Sequence, residues 1–80
     1  MLEEDKKIIR DSLSSVMPYV ACPEELRETI EKEVRSCDSI EAFAEKFKKK
    51  VSTIYDATGK TDMQIFLNEL ERNITKSGSD

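Results

Sequence analysis

Ile40, Phe43, Ala44, Phe47, Val51, Ile54 and Tyr55 recur at helical spacing without a miss. This run predicts an amphipathic helix from about Ile40 to Tyr55, and it constrains the chain more than any other feature. Asp38 or Ser39 stands at its N-cap, and Gly59 is a natural stop beyond its end. The apolar face is broader than a heptad seam, and Lys50 falls where such a seam needs a hydrophobe. The segment therefore reads as the central helix of a globular bundle, not as a coiled-coil arm.

Three further helices fit around it. The first is expected from about Leu2 to Met17, with Leu2, Ile9, Leu13, Val16 and Met17 on one face and Pro18 at its end. Val20 joins that face if the helix runs on. The second starts at Pro23, with Cys22 as N-cap and Glu24 and Glu25 against the positive end of the helix dipole. Its stripe of Leu26, Ile30 and Val34 is narrow, which places it on the outside with one edge buried. The fourth starts near Thr61 or Asp62, where Thr61 and Gln64 form a capping box, and it carries Met63, Phe66, Leu67, Leu70 and Ile74. The expected fold is all-α, one domain over residues 1–76 as a compact bundle of four short helices, with a three-helix bundle as the alternative and a frayed polar tail at 77–80. The expected core is Leu13, Val16, Leu26, Ile30, Ile40, Phe43, Ala44, Phe47, Val51, Ile54, Phe66, Leu67 and Leu70.

Composition agrees with that architecture. Two glycines and two prolines leave room for only a few turns. Hydrophobic and charged residues are 38% each, and the charges are mixed in sign with a net of -4. That balance suits a folded helical protein with a salt-bridged surface and gives no global attraction to nucleic acid or anionic membrane. No apolar run approaches the roughly 20 residues of a membrane span. The acidic opening Met1-Leu2-Glu3-Glu4-Asp5 lacks the apolar stretch of a signal peptide, so a cytoplasmic location is the default expectation. Cys22 and Cys37 flank the second helix, which would hold them about 20 Å apart at 1.5 Å per residue. A disulfide needs alpha carbons within about 7 Å, so free thiols are expected.

Motifs for chemistry fail one by one. Gly59-Lys60-Thr61 resembles the end of a phosphate-binding loop, but Tyr55 stands where its first glycine belongs. Asp56, Thr58 and Asp62 suggest a calcium loop, but Thr61 and Leu67 occupy the positions of its glycine and bidentate glutamate. The glutamates at 24, 25, 28, 31 and 33 lie on a solvated face by periodicity, with Glu28–Lys32 and Glu31–Arg35 as natural ion pairs. There is no histidine, which removes the commonest general base. A Cys22 nucleophile would be opposed by Glu24 and Glu25, and Asn73-Ile74-Thr75 is a glycosylation sequon without a secretory context. No catalytic, cofactor-binding or metal-ligating residue is assigned.

The expectation is a non-enzymatic protein–protein interaction module: a regulator, adaptor or inhibitor whose partner is another protein. The alternative is a nucleic-acid-associated protein using lysines of the third helix, disfavoured by Asp38, Glu41 and Glu45 at that helix's start. Candidate contact residues are Lys46, Lys49 and Lys50, with Lys46 and Lys50 on one flank, together with Ile65 and Ile8. Ile65 falls roughly opposite the fourth helix's stripe, and Ile8 flanks the first. Self-association is expected to be a weak homodimer at most.

Overall fold

The apolar stripes close around three phenylalanines. In the computed structural model, which describes residues 2–78, four helices follow in order: α1 (Glu3–Val16), α2 (Pro23–Ser36), α3 (Ile40–Thr53) and α4 (Ala57–Gly78). A single 3-10 turn, Met17–Tyr19, absorbs Pro18 after α1. No strand occurs among the described residues. Phe43 and Phe47 of α3 and Phe66 of α4 have no exposed surface. Phe66 stands edge-on to both partners, with ring centroids 6.3 Å from Phe43 and 5.2 Å from Phe47. Such pairs add about 0.5–1.5 kcal/mol each beyond area burial.

Two helix boundaries differ from the sequence expectation, each for a local reason. α3 stops at Thr53, because Ser52 and Thr53 donate their hydroxyls to the carbonyls of Lys49 and Lys50 at 2.7 and 2.8 Å. This back-bonding competes with continued helix. Ile54 is extended and half-buried, and Tyr55, expected on the apolar face, is fully exposed. α4 starts at Ala57, not at Thr61 or Asp62. Asp56 is the residue that caps it: its Oδ2 accepts from Gly59 N–H at 2.9 Å, and its carbonyl accepts from Lys60 N–H at 2.9 Å. Gly59 is therefore not the stop of α3 but part of the first turn of α4. A Cβ at that position would lie 3.1 Å from the capping oxygen. The Thr61 hydroxyl bonds back to Ala57 O, so the Thr61–Gln64 box does not form. Ser39 caps α3, accepting from Ala42 N–H at 3.2 Å. Ser77 and Gly78 belong to α4 and not to a tail, and Ser79 and Asp80 lie outside the described residues.

α4 is the central element, a place the sequence reading gave to α3. It packs against α1, α3 and α2, running antiparallel to α1. A helix with neighbours on several sides needs a wide apolar face, which gives Ile65 a place at the edge of the core and buries Met63. Leu13, Ala44 and Ile54, expected inside, are half-buried against the cluster; Ile9, Val20, Cys37 and Met63 complete it.

Three buried polar side chains fasten the bundle. Ser12 of α1 is fully buried; it donates to Ile8 O at 2.8 Å and accepts from Asn73 of α4 at 2.7 Å. The sequon asparagine is thus an internal fastener. Asp62 of α4 is buried and accepts from the backbone N–H groups of Ala21 at 3.0 Å and Cys22 at 2.9 Å. Those amides precede α2, so α4 pins the entry to α2 from across the chain. Glu33 of α2 faces α3. A buried polar group left unpaired would cost about 1–3 kcal/mol, a cost that Ser12 and Asp62 avoid through these bonds.

Candidate functional site

The expected contact residues do not assemble into one patch. Lys50 places its Nζ 3.0 Å from Glu33 Oε1. Lys46 places its Nζ 3.9 Å from Glu33 Oε2 and donates to the Ser36 hydroxyl at 3.2 Å. The shared flank expected for these two lysines is real, but it faces α2. The separation of 3.9 Å is an ion-pair contact and too long for a hydrogen bond, so Oε2 has charge nearby and no donor. Lys49 is exposed and makes no ion pair among the described residues. Ile8 and Ile65 are half-buried against the core cluster, so Ile65 is not opposite the packed face of α4. Ile65 borders a shallow hollow at the α1–α4 seam with Val16, Tyr19 and Arg72.

A different feature stands out once the helices are packed. α1 leans on α4, α4 on α3 and α3 on α2, while α1 and α2 hardly approach each other. The ring is open on that side. The opening is a groove of about 500 Å³. Its floor is apolar: Ile9, Leu13 and Met17 from α1 and the turn after it, and Ile30 and Val34 from α2. Ile9 and Ile30 are buried, whereas Leu13, Met17 and Val34 are half-exposed into the groove. Its rim carries Lys6, Arg10, Arg27 and Arg35 against one carboxylate, Glu31, with Ser14 between. Glu31 pairs with Arg27 at 3.4 Å, one turn back, and not with Arg35 as expected. Lys6, Arg10 and Arg35 make no ion pair among the described residues.

Local sequence explains the construction. Ile9, Leu13 and Met17 lie at i, i+4, i+8, and so do Leu26, Ile30 and Val34. Each set forms one ridge of a helix surface. Lys6 and Arg10 flank the first ridge at i, i+4, and Arg27, Glu31 and Arg35 flank the second. The basic flanks meet only after folding, in a chain whose net charge is -4. The i, i+4 placement of Lys6 and Arg10 beside an apolar stripe was the available signal, obscured by the acidic residues around it.

The groove's walls hold apolar contact area, four cations and the carboxylate of Glu31. Cys22 and Cys37 are free thiols elsewhere, the first exposed and the second buried. Among the described residues no group of three or more His, Cys, Asp or Glu side chains is placed to hold a metal ion. No helix among the described residues is long and apolar enough to cross a membrane.

The model of the MJ1579 family matches residues 6–75. The chain belongs to the MJ1579 family. The match begins at Lys6 and so takes in every residue of both groove walls, as well as the Asp62 and Asn73 fasteners. No curated protein and no solved structure matches the chain.

Proposed function

We propose that this member of the MJ1579 family is a non-enzymatic protein–protein interaction module, a regulator, adaptor or inhibitor whose contact face is the α1/α2 groove. The observation that carries the reading is the open seam itself. A small bundle gains most by burying its apolar ridges, yet here two ridges end at a half-exposed trough rimmed by four cations, three of them without an ion-pair partner among the described residues. An apolar centre with a polar rim is the usual anatomy of a protein contact. A cytoplasmic address goes with the proposal, since free thiols persist in a reducing compartment. Self-association, a weak homodimer at most, is a lesser part of it. The nucleic-acid alternative loses support, because Lys46 and Lys50 both face Glu33.

The test is affinity capture from the native host with the wild-type chain and three variants. Leu13→Glu and Val34→Glu put charge into the trough. Glu28→Lys changes an exposed position outside it. Far-ultraviolet circular dichroism establishes that each variant keeps its helices. The expected result is one stoichiometric partner retained by wild type and Glu28→Lys and lost by both trough variants. A partner held equally by all four, or none at all, contradicts the proposal.

A further inference from the structure

The shape and charge of the groove restrict what can fill it. Its α1 wall runs from Lys6 to Met17, about 16 Å at 1.5 Å per residue, or three helical turns. Each wall is an i, i+4, i+8 ridge of a helix surface, and ridges of this kind pack against the ridges and grooves of another helix. The rim has four cations and one carboxylate in a chain that is acidic overall. Three of those cations have no ion-pair partner among the described residues, so their charge is available to a ligand.

We infer that the groove docks an acidic amphipathic helix of about three turns, with an apolar row at i, i+4, i+7 lying on Leu13, Met17 and Val34 and with Asp or Glu on both flanks facing Arg10 and Arg35. This rests on the protein-interaction reading above and names the partner's chemistry. Two other occupants fit less well. A nucleic acid would meet an apolar floor with no aromatic side chain on which a base could stack. A second copy of this chain fits less well: among the described residues the large exposed hydrophobic side chains are Leu2, Tyr19 and Tyr55, all outside the four helices.

The experiment uses the full chain and three synthetic peptides of about 14 residues. The first carries Leu at i, i+4, i+7 with Glu on both flanks. The second replaces those Glu with Lys. The third replaces the Leu with Ser. Fluorescence anisotropy reads affinity, and amide chemical shifts of the labelled protein read location. The Glu-flanked peptide should bind and shift the amides around Leu13 and Val34, and the other two should not. Arg10→Glu with Arg35→Glu, both at exposed positions, should weaken the Glu-flanked peptide at least about tenfold and admit the Lys-flanked one. Equal binding of both charge versions overturns the inference, as does binding that shifts amides only away from the groove. Failure of every peptide overturns it too, and so does displacement of the acidic peptide by a single-stranded or duplex oligonucleotide. If the peptides fail while a cellular partner is still lost with Leu13→Glu, the acidic-helix inference falls and the interaction reading stands.

Discussion

The two edges of α2 are built from the same materials and have opposite fates. Toward α3, a buried carboxylate, Glu33, meets Lys50 and Lys46, and the seam is closed. Toward α1, basic residues stand on both sides of an apolar trough with only Glu31 among them, and the seam is open. Cations therefore do two jobs in this fold. Where a carboxylate sits opposite, they lock helices together. Where basic residues stand on both walls and the one carboxylate, Glu31, pairs with Arg27 of its own helix, no ion pair spans the seam among the described residues. Lysine count in the sequence cannot distinguish the two cases; the packing partner does.

The largest effect expected on this comparison comes from Asp62, which fixes where α2 begins and so sets both edges. Asp62→Ala removes the acceptor for two backbone N–H groups and should destabilise the fold by about 2–3 kcal/mol. Urea denaturation reads the loss, and faster hydrogen exchange at Ala21 and Cys22 should accompany it. An effect below about 0.5 kcal/mol would mean that α2 holds its place without the pin.

A smaller effect is expected at the closed edge. Glu33→Ala should cost about 1–2 kcal/mol, because the carboxylate is buried while both lysines are partly solvated and can return to water. Glu33→Met should recover most of that cost by filling the same volume without a buried charge. Equal losses for the two variants, measured by thermal unfolding, would show that the ion pair itself closes the seam.

The smallest effect on stability is expected at the open edge. Arg10→Glu and Arg35→Glu should each change unfolding free energy by less than about 0.5 kcal/mol, since neither side chain has an ion-pair partner among the described residues. A loss comparable to that of Glu33→Ala would show that these cations serve the fold and would sharpen the groove into a structural feature.

The helices and most of the core were legible because Ile40, Phe43, Phe47 and Val51, or Leu26 and Ile30, are spaced as one helix face and need no knowledge of neighbours. The start of α4 was misread where two valid signals competed. Gly59 looked like a stop and Thr61–Gln64 like a cap, while Asp56 three residues before Gly59 made the bond that formed. The buried polar residues were not legible at all. Ser12 depends on Asn73, Asp62 on Ala21 and Cys22, and Glu33 on Lys50, each far away in the chain. The groove was hidden for the same reason. Its walls were visible separately, but that α1 and α2 stay apart follows only from α4 drawing α1 to its own side. Lys46 and Lys50 were legible as sharing one flank, but not that Glu33 of α2 lies opposite them, because the packing of α2 cannot be read from sequence.

Photo-cross-linking in the native host tests whether the α1/α2 edge is the working face. A photoreactive amino acid replaces Ser14, exposed on the groove rim, or Lys49, exposed on α3. A single discrete protein adduct is expected from position 14 and none from position 49. An adduct from position 49 alone, or the same adduct from both positions, would contradict it.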